Sequence, residues 1–269
     1  HGLQVRMDRL QRSSENHIWH ISSGNIARSP KLAPKGPTMI NAPKPKAALP
    51  RVDDQSVLIF DLDNTLYPAA CNLFSQVSDL IGKYVRDALS LEADEAYRVQ
   101  KDYFHRYGTT LRGLMTEHEV DPADYLAKVH DIDVSVVSPA PDLATALDDL
   151  PGRKLIFTNA SRGHAERVMD RLGIADRFET IFDIVDANYI PKPEQEPYDL
   201  LLARDGIDPA RAVYFEDMAK NLLPAKEMGM TTVWVDTDVE WAQNGRDDPR
   251  IDHHTNDIVG FLRNLSRTS

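Results

Sequence analysis

Two carboxylates, Asp61 and Asp63, stand two residues apart directly after the apolar run Val57-Leu58-Ile59-Phe60. In an extended segment residues i and i+2 point the same way, so both acids can address one substrate. A carboxylate can attack phosphorus and form an acyl phosphate. A second carboxylic acid beside it can protonate the leaving oxygen, then take a proton from the hydrolytic water. Two adjacent anions repel unless a cation or shared proton compensates, which suits a Mg²⁺ site. The plainer alternative is a strand-end turn in which Asp and Asn only cap backbone groups.

Other chemistry-bearing residues recur after later apolar runs. Thr158 and Asn159 follow Lys154-Leu155-Ile156-Phe157, and Glu216-Asp217 close Ala212-Val213-Tyr214-Phe215, with Asn221 just beyond. Paired acids in that position commonly bind hard cations through oxygen. Thr158 also reads as an N-cap for the helix that follows, and an N-cap at a crevice is itself a phosphate site. Lys192, between Pro191 and Pro193, reads in isolation as a solvated loop charge. The pair His253-His254 lacks companion metal ligands and is read as surface.

These residues need elements to hold them. The runs 57–60, 154–157, 212–215 and 232–235, with a weaker one at 180–185, have the continuous apolar character of strands buried on both faces. Helical stretches fall at about 162–173, 194–205, 219–228 and 256–265, with Gly173 and Gly229 where C-caps are expected. The alternation predicts a doubly wound, mainly parallel α/β sheet, whose ligand crevice lies at the carboxyl ends of the strands. The interval 72–137 differs, reading as four helices at 72–89, 92–106, 109–118 and 122–130, the last opened by Asp121-Pro122. It is predicted to be an all-helical cap over the crevice of a core spanning 51–269.

Asp61-Leu62-Asp63-Asn64-Thr65-Leu66-Tyr67-Pro68 resembles the first motif of the haloacid dehalogenase superfamily. Phe157-Thr158-Asn159-Ala160, Lys192 and Phe215-Glu216-Asp217-Met218-Ala219-Lys220-Asn221 resemble the second, third and fourth motifs, in order, within residues 56–265. The resemblance implies a Rossmann-like core and a phosphatase using Mg²⁺ as cofactor. Asp61 would be the nucleophile, Asp63 the acid–base, Thr158 a phosphoryl donor and Lys192 a charge-balancing cation. Mg²⁺ would be held by Asp61, Asp217 and the main-chain carbonyl of Asp63, with Glu216 and Asn221 near its outer shell. The N–H groups of Leu62 and Asn159 would donate to the transferring group. Dehalogenases of this fold lack the second acid, so Asp63 favours phosphoryl transfer.

The stretch Tyr107-Gly108-Thr109-Thr110-Leu111-Arg112-Gly113-Leu114 is similar to the pyrimidine 5′-nucleotidase branch. That similarity implies a small phosphorylated substrate, a nucleotide, with Tyr67, Tyr107 and Arg112 as contacts. Tyr103 and His105 are further contact candidates, whereas Phe104 is read as cap core. No cap lysine is placed obviously for a Schiff base, Lys83, Lys101 and Lys128 being the candidates. The rivals are a phosphomutase, a phosphatase of sugar phosphates or lysophospholipids, and a catalytically silent binding domain. The five retained residues Asp61, Asp63, Thr158, Lys192 and Asp217 argue against the last.

The formal net charge of -11 disfavours nucleic acid and anionic membranes as partners, so any phosphate site must be built locally. The lone cysteine, Cys71, permits no intrachain disulfide, and a cytoplasmic location is expected. Residues 1–50 carry eight Lys/Arg against two Asp/Glu and six prolines from Pro30 to Pro50, which reads as a disordered basic extension. Met39, just before the ordered pattern, is the expected natural start.

Overall fold

A computed structural model of the chain describes residues 48–267 except residue 238. The expectations for the basic extension and for Met39 lie outside the described residues.

Six parallel strands form the main sheet, in the order β4-β3-β2-β5-β6-β7. These are β2 (Val57–Phe60), β3 (Arg153–Phe157), β4 (Thr180–Phe182), β5 (Ala212–Glu216), β6 (Thr231–Val235) and β7 (His253–Thr255). A separate parallel pair joins β1 (Arg51–Val52) to β8 (Ser266–Arg267). The continuous apolar run of β2 is explained by its place at the sheet centre, between β3 and β5. Leu58 and Phe60 enter one apolar core and Val57 and Ile59 the other, all four almost fully buried. Each such side chain contributes about 1.5–3 kcal/mol through burial.

Helices cover both faces. On the Phe60 side lie α5 (Pro141–Asp148), α6 (Arg162–Leu172) and α9 (Ile258–Arg263); on the Ile59 side lie α7 (Gln195–Asp205) and α8 (Ala219–Glu227). Helix α6 ends at Gly173, whose φ of 76° is the left-handed conformation that glycine adopts without strain. Three elements differ from the sequence reading. Strand β4 stops at Phe182, because Asp183 turns the chain by accepting from the N–H groups of Val185 and Asp186. Helix α5 was not expected, and His253 and His254 belong to edge strand β7.

Between β2 and β3 the chain forms α1 (Leu73–Leu89), α2 (Ala93–Tyr107), α3 (Thr110–His118) and α4 (Pro122–Val129). They share an apolar core that includes Val85, Tyr103, Leu114 and Tyr125. Asp121 caps α4 by accepting from Ala123 N at 3.0 Å, with Pro122 at the first helical position. Gly113 lets α3 close on α2: a Cβ there would lie 2.5 Å from the Cβ of Tyr103. Gly108, with φ 82°, brings the α2–α3 turn down to the side chain of Pro191.

Candidate active site

The sheet register brings the predicted residues to one edge. Phe60 pairs with Phe215. The ladder runs one residue further, Asp61 N–H donating to Phe215 O at 2.9 Å and Thr158 N–H to Phe182 O at 3.0 Å. Asp61, Thr158 and Glu216-Asp217 therefore emerge together at the carboxyl ends of β2, β3 and β5. After Asp61 the chain reverses through Asn64, whose φ of 62° an asparagine tolerates. Thr65 and Leu66 both donate backbone N–H groups to Leu62 O, at 3.2 and 3.0 Å.

Lys192 is the hub of the buried charges and is 1% exposed, so the solvated-loop reading is overturned. Its Nζ lies 2.8 Å from Asp61 Oδ1, 2.7 Å from Glu216 Oε2, 2.8 Å from Phe157 O and 3.0 Å from Tyr214 OH. Burial alone would lower the ammonium pKa, but the charges of Asp61 and Glu216 raise it. The Asn159 side chain grips this loop at both backbone polar atoms of Lys192, accepting from its N at 2.9 Å and donating to its O at 3.4 Å. Thr65 donates its hydroxyl to Asp61 Oδ2 at 3.2 Å.

One oxygen of Asp63 is held by two side chains. Tyr67 OH donates to Oδ1 at 2.6 Å, and His164 Nε2 lies 2.8 Å from the same atom. Burial pushes the Asp63 pKa up, but the charge and hydrogen bond of His164 and the Tyr67 hydroxyl outweigh it and bring it to about 2.

Asp61, Glu216 and Asp217 present carboxylate oxygens that all lie within 4.8 Å of one another. Burial and the Glu216 charge raise the pKa values of both Asp61 and Asp217. Asp217 Oδ2 and Asn221 Oδ1 are buried with no partner among the described residues. Oxygen donors that are crowded, buried and unsatisfied fit a hard divalent cation such as Mg²⁺.

Above this edge opens a cavity of about 470 Å³. Its floor includes Asp61, Asp63, Thr158, Lys192, Asp217 and Asn221; its helical wall includes Tyr97, Lys101 and Phe104. Several expectations are corrected here. Tyr67 is 3% exposed and turned behind the loop to hold Asp63, so it does not face the cavity. Tyr107 and Arg112 do not line it either: the Tyr107 hydroxyl donates to Glu117, and Arg112 is half-buried on α3, away from the lining. Phe104 and Tyr103 exchange roles, since Phe104 lines the cavity and Tyr103 is packed in the helical core. Lys101 reaches the wall, but Lys83 and Lys128 do not. The Thr158 hydroxyl accepts from Ala160 N at 3.0 Å rather than capping α6, whose Arg162 N–H goes to Asp183 at 2.7 Å. The Leu62 side chain is core, whereas the N–H groups of Leu62 and Asn159 have no partner among the described residues.

The sequence reading did not single out His164, Thr65, Tyr214 or Lys220. Tyr214 was readable, because i,i+2 spacing on β5 puts it on the face of Glu216. Thr65 lies four residues after Asp61, within one turn of the reversing loop. His164 carried no signal beyond its place in the first turn of α6.

The profile of haloacid dehalogenase-like hydrolases matches residues 56–229. Phosphate metabolism protein 8 of Saccharomyces cerevisiae is 29% identical over 194 residues, which span 65% of this chain and 60% of the yeast protein. A haloacid dehalogenase-type phosphatase from Thermococcus onnurineus superposes with a TM-score of 0.55 at 19% identity, covering 80% of this chain and all (100%) of the other. A dehalogenase solved with an intermediate complex gives 0.51 at 19% identity, covering 81% and 100%. At these identities the two structures speak for the fold.

Proposed function

Because the chain belongs to the haloacid dehalogenase-like hydrolases, to which its fold also conforms, we propose that it is a Mg²⁺-dependent phosphomonoesterase acting on pyrimidine nucleoside 5′-monophosphates. The observation that carries the reaction class is Asp63: a second carboxylate beside the nucleophile, aimed into the cavity, has no task when the leaving group needs no proton. Asp61 attacks phosphorus as the ester P–O bond breaks, and Asp63 gives its proton to the departing oxygen. Water then attacks the acyl phosphate, giving its proton back to Asp63, and phosphate leaves. In the free protein Asp63 is an anion; a bound phosphoryl group adds negative charge beside it and favours the protonated form the first step requires.

Asp61, Asp217 and the Asp63 carbonyl would hold Mg²⁺, with Asn221 beside them. Glu216 fits an outer position, because its Oε2 is already taken by Lys192 and Tyr214. The ion supplies charge neutralisation for the phosphoryl oxygens and the developing negative charge. Lys192 offsets the charge of the nucleophile, while Thr158 and the N–H groups of Leu62 and Asn159 orient the phosphoryl group.

The helical wall supports a nucleotide. Phe104 offers a face for a base, and Lys220 Nζ stands 4.9 Å from the centre of that ring. The name of the yeast relative, with its reference to phosphate metabolism, agrees with a phosphorylated substrate. The test is phosphate release from nucleotides, sugar phosphates and lysophospholipids, with Mg²⁺ and with chelator. UMP or CMP is expected to lead, and Asp61→Asn to abolish turnover. Metal-independent activity surviving Asp61→Asn overturns the mechanism; sugar phosphates outranking nucleotides overturns the substrate class alone.

A further inference from the structure

We propose that His164 and Tyr67 are positioning residues for Asp63, fixing this carboxylate by one oxygen so that the other faces the ester oxygen. The proposal rests on the phosphatase reading above. Tyr67 comes from the reversing loop and His164 from the first turn of α6, yet both converge on Oδ1, at 2.6 and 2.8 Å. Oδ2 takes no hydrogen bond among the described residues, and Asp63 lines the cavity. A carboxylate tied at one oxygen cannot spin its second oxygen away from the cavity, which is the orientation proton transfer needs.

The imidazole itself is fixed in turn. His164 is 1% exposed, and one face stacks on His130 with centroids 4.6 Å apart and planes at 25°. His130 directly follows α4, the last of the inserted helices, and its Nδ1 lies 2.8 Å from Ser161 Oγ. Arg167 donates to the His130 carbonyl from the next turn of α6. The Nδ1 of His164 is buried without a partner among the described residues, so the polar tie of the ring goes to Asp63. A carboxylate oxygen only accepts, so Nε2 carries the donated proton.

The test separates positioning from general damage by leaving group. A protonating acid matters greatly for an alkyl ester and little for an aryl ester whose phenol leaves readily as an anion. Values of kcat/KM, which report the first half-reaction, are compared for UMP (or the best alkyl ester of the panel) and p-nitrophenyl phosphate. His164→Ala is expected to lose about 100-fold on the alkyl ester and under about 10-fold on the aryl ester. Tyr67→Phe, which removes a single hydroxyl, is expected to show the same selectivity. His164→Gln, whose amide nitrogen reaches as far as Nε2, restores most of the loss, and the shorter His164→Asn does not. Equal losses on both esters in a folded variant, or no loss on either, overturn the proposal. If His164→Ala does not fold, Tyr67→Phe and His164→Gln decide in its place. Wild-type turnover of the two esters tests the phosphatase reading independently of these ratios.

Discussion

Replacing Asp217 by Asn is expected to make the metal-free protein more stable and the metal-dependent enzyme inactive. Asp217 is 2% exposed and lies with Asp61 and Glu216 in a cluster whose oxygens are within 4.8 Å of each other. At an effective dielectric of about 20, two like charges at that separation repel by about 3 kcal/mol. Lys192 offsets roughly one of the two repulsions that Asp217 experiences, leaving about one pair, or about 3 kcal/mol. The raised pKa of Asp217 lets the metal-free site shed part of this by keeping a proton. The expected gain at pH 7.5 is therefore about 2 kcal/mol. The sign with pH follows from the same shift. A carboxyl whose folded pKa lies above its unfolded value contributes full stability below the unfolded pKa and loses it as pH rises toward the folded one. The variant should thus outperform the wild type more at pH 7.5 than at pH 5. Urea denaturation in chelator reads this directly. In Mg²⁺ the order should reverse, since ligand at a hundredfold its Kd adds about 2.7 kcal/mol to the wild type only. A variant less stable than wild type in chelator at pH 7.5, or one that keeps the wild-type response to Mg²⁺, refutes the reasoning.

His130 should make the fold acid-sensitive. Burial, together with the nearby His164, lowers its pKa from 6.5 to about 3, so the unfolded chain binds a proton that the folded one refuses. Stability from this group is full above pH 6.5 and is lost as pH falls toward 3, with about 2 kcal/mol gone at pH 5. His130→Gln should flatten the difference in unfolding free energy between pH 7 and pH 5. Gly113→Ala is expected to cost about 1–3 kcal/mol, because its new methyl meets the Tyr103 ring and Cβ; a thermal midpoint equal to wild type would contradict the packing described. Phe104→Ala should raise KM for nucleotides several-fold while leaving p-nitrophenyl phosphate nearly unaffected, as steady-state kinetics would show.

What was legible in the sequence follows from where each residue sits. The run Val57–Phe60 announced itself because a central strand covered on both faces must be apolar throughout. Asp61, Thr158 and Glu216-Asp217 were legible because they end such runs. The α/β class followed from the same runs, and the family resemblance from the motif residues Asp61-Leu62-Asp63, Thr158, Lys192 and Glu216-Asp217. Helix α5 was missed because Ala140 gives it no side-chain cap and it spans only eight residues. Tyr67 was misplaced because the positive φ of Asn64 swings the loop, which spacing alone does not show. Tyr103 and Phe104 were exchanged because neighbours on a helix point about 100° apart, and only packing against α3 decides which is inside. The two glycines of the stretch that suggested a nucleotidase answer to packing, Gly108 against Pro191 and Gly113 against Tyr103. Among the described residues, no helix is long and apolar enough to cross a membrane.

The charge arithmetic of the site explains why an acidic chain can receive a phosphate ester at all. Lys192 has three N–H donors but four acceptors within 3.0 Å, so its protons are already shared before a substrate arrives. It cannot act as a free hand for the phosphoryl group. Its charge instead neutralises part of the Asp61-Glu216 pair, and the pair in turn holds it fully buried. The remaining negative charge, centred on Asp217, has no protein cation of its own within hydrogen-bond reach among the described residues. That imbalance costs the metal-free fold stability, and the divalent ion proposed above would relieve it. In the proposed reaction the phosphoryl group would then meet a locally compensated floor, where the backbone N–H groups of Leu62 and Asn159, without partners among the described residues, would be available to its oxygens. The surrounding net charge of -11 is thereby irrelevant at contact distance and matters only for the approach.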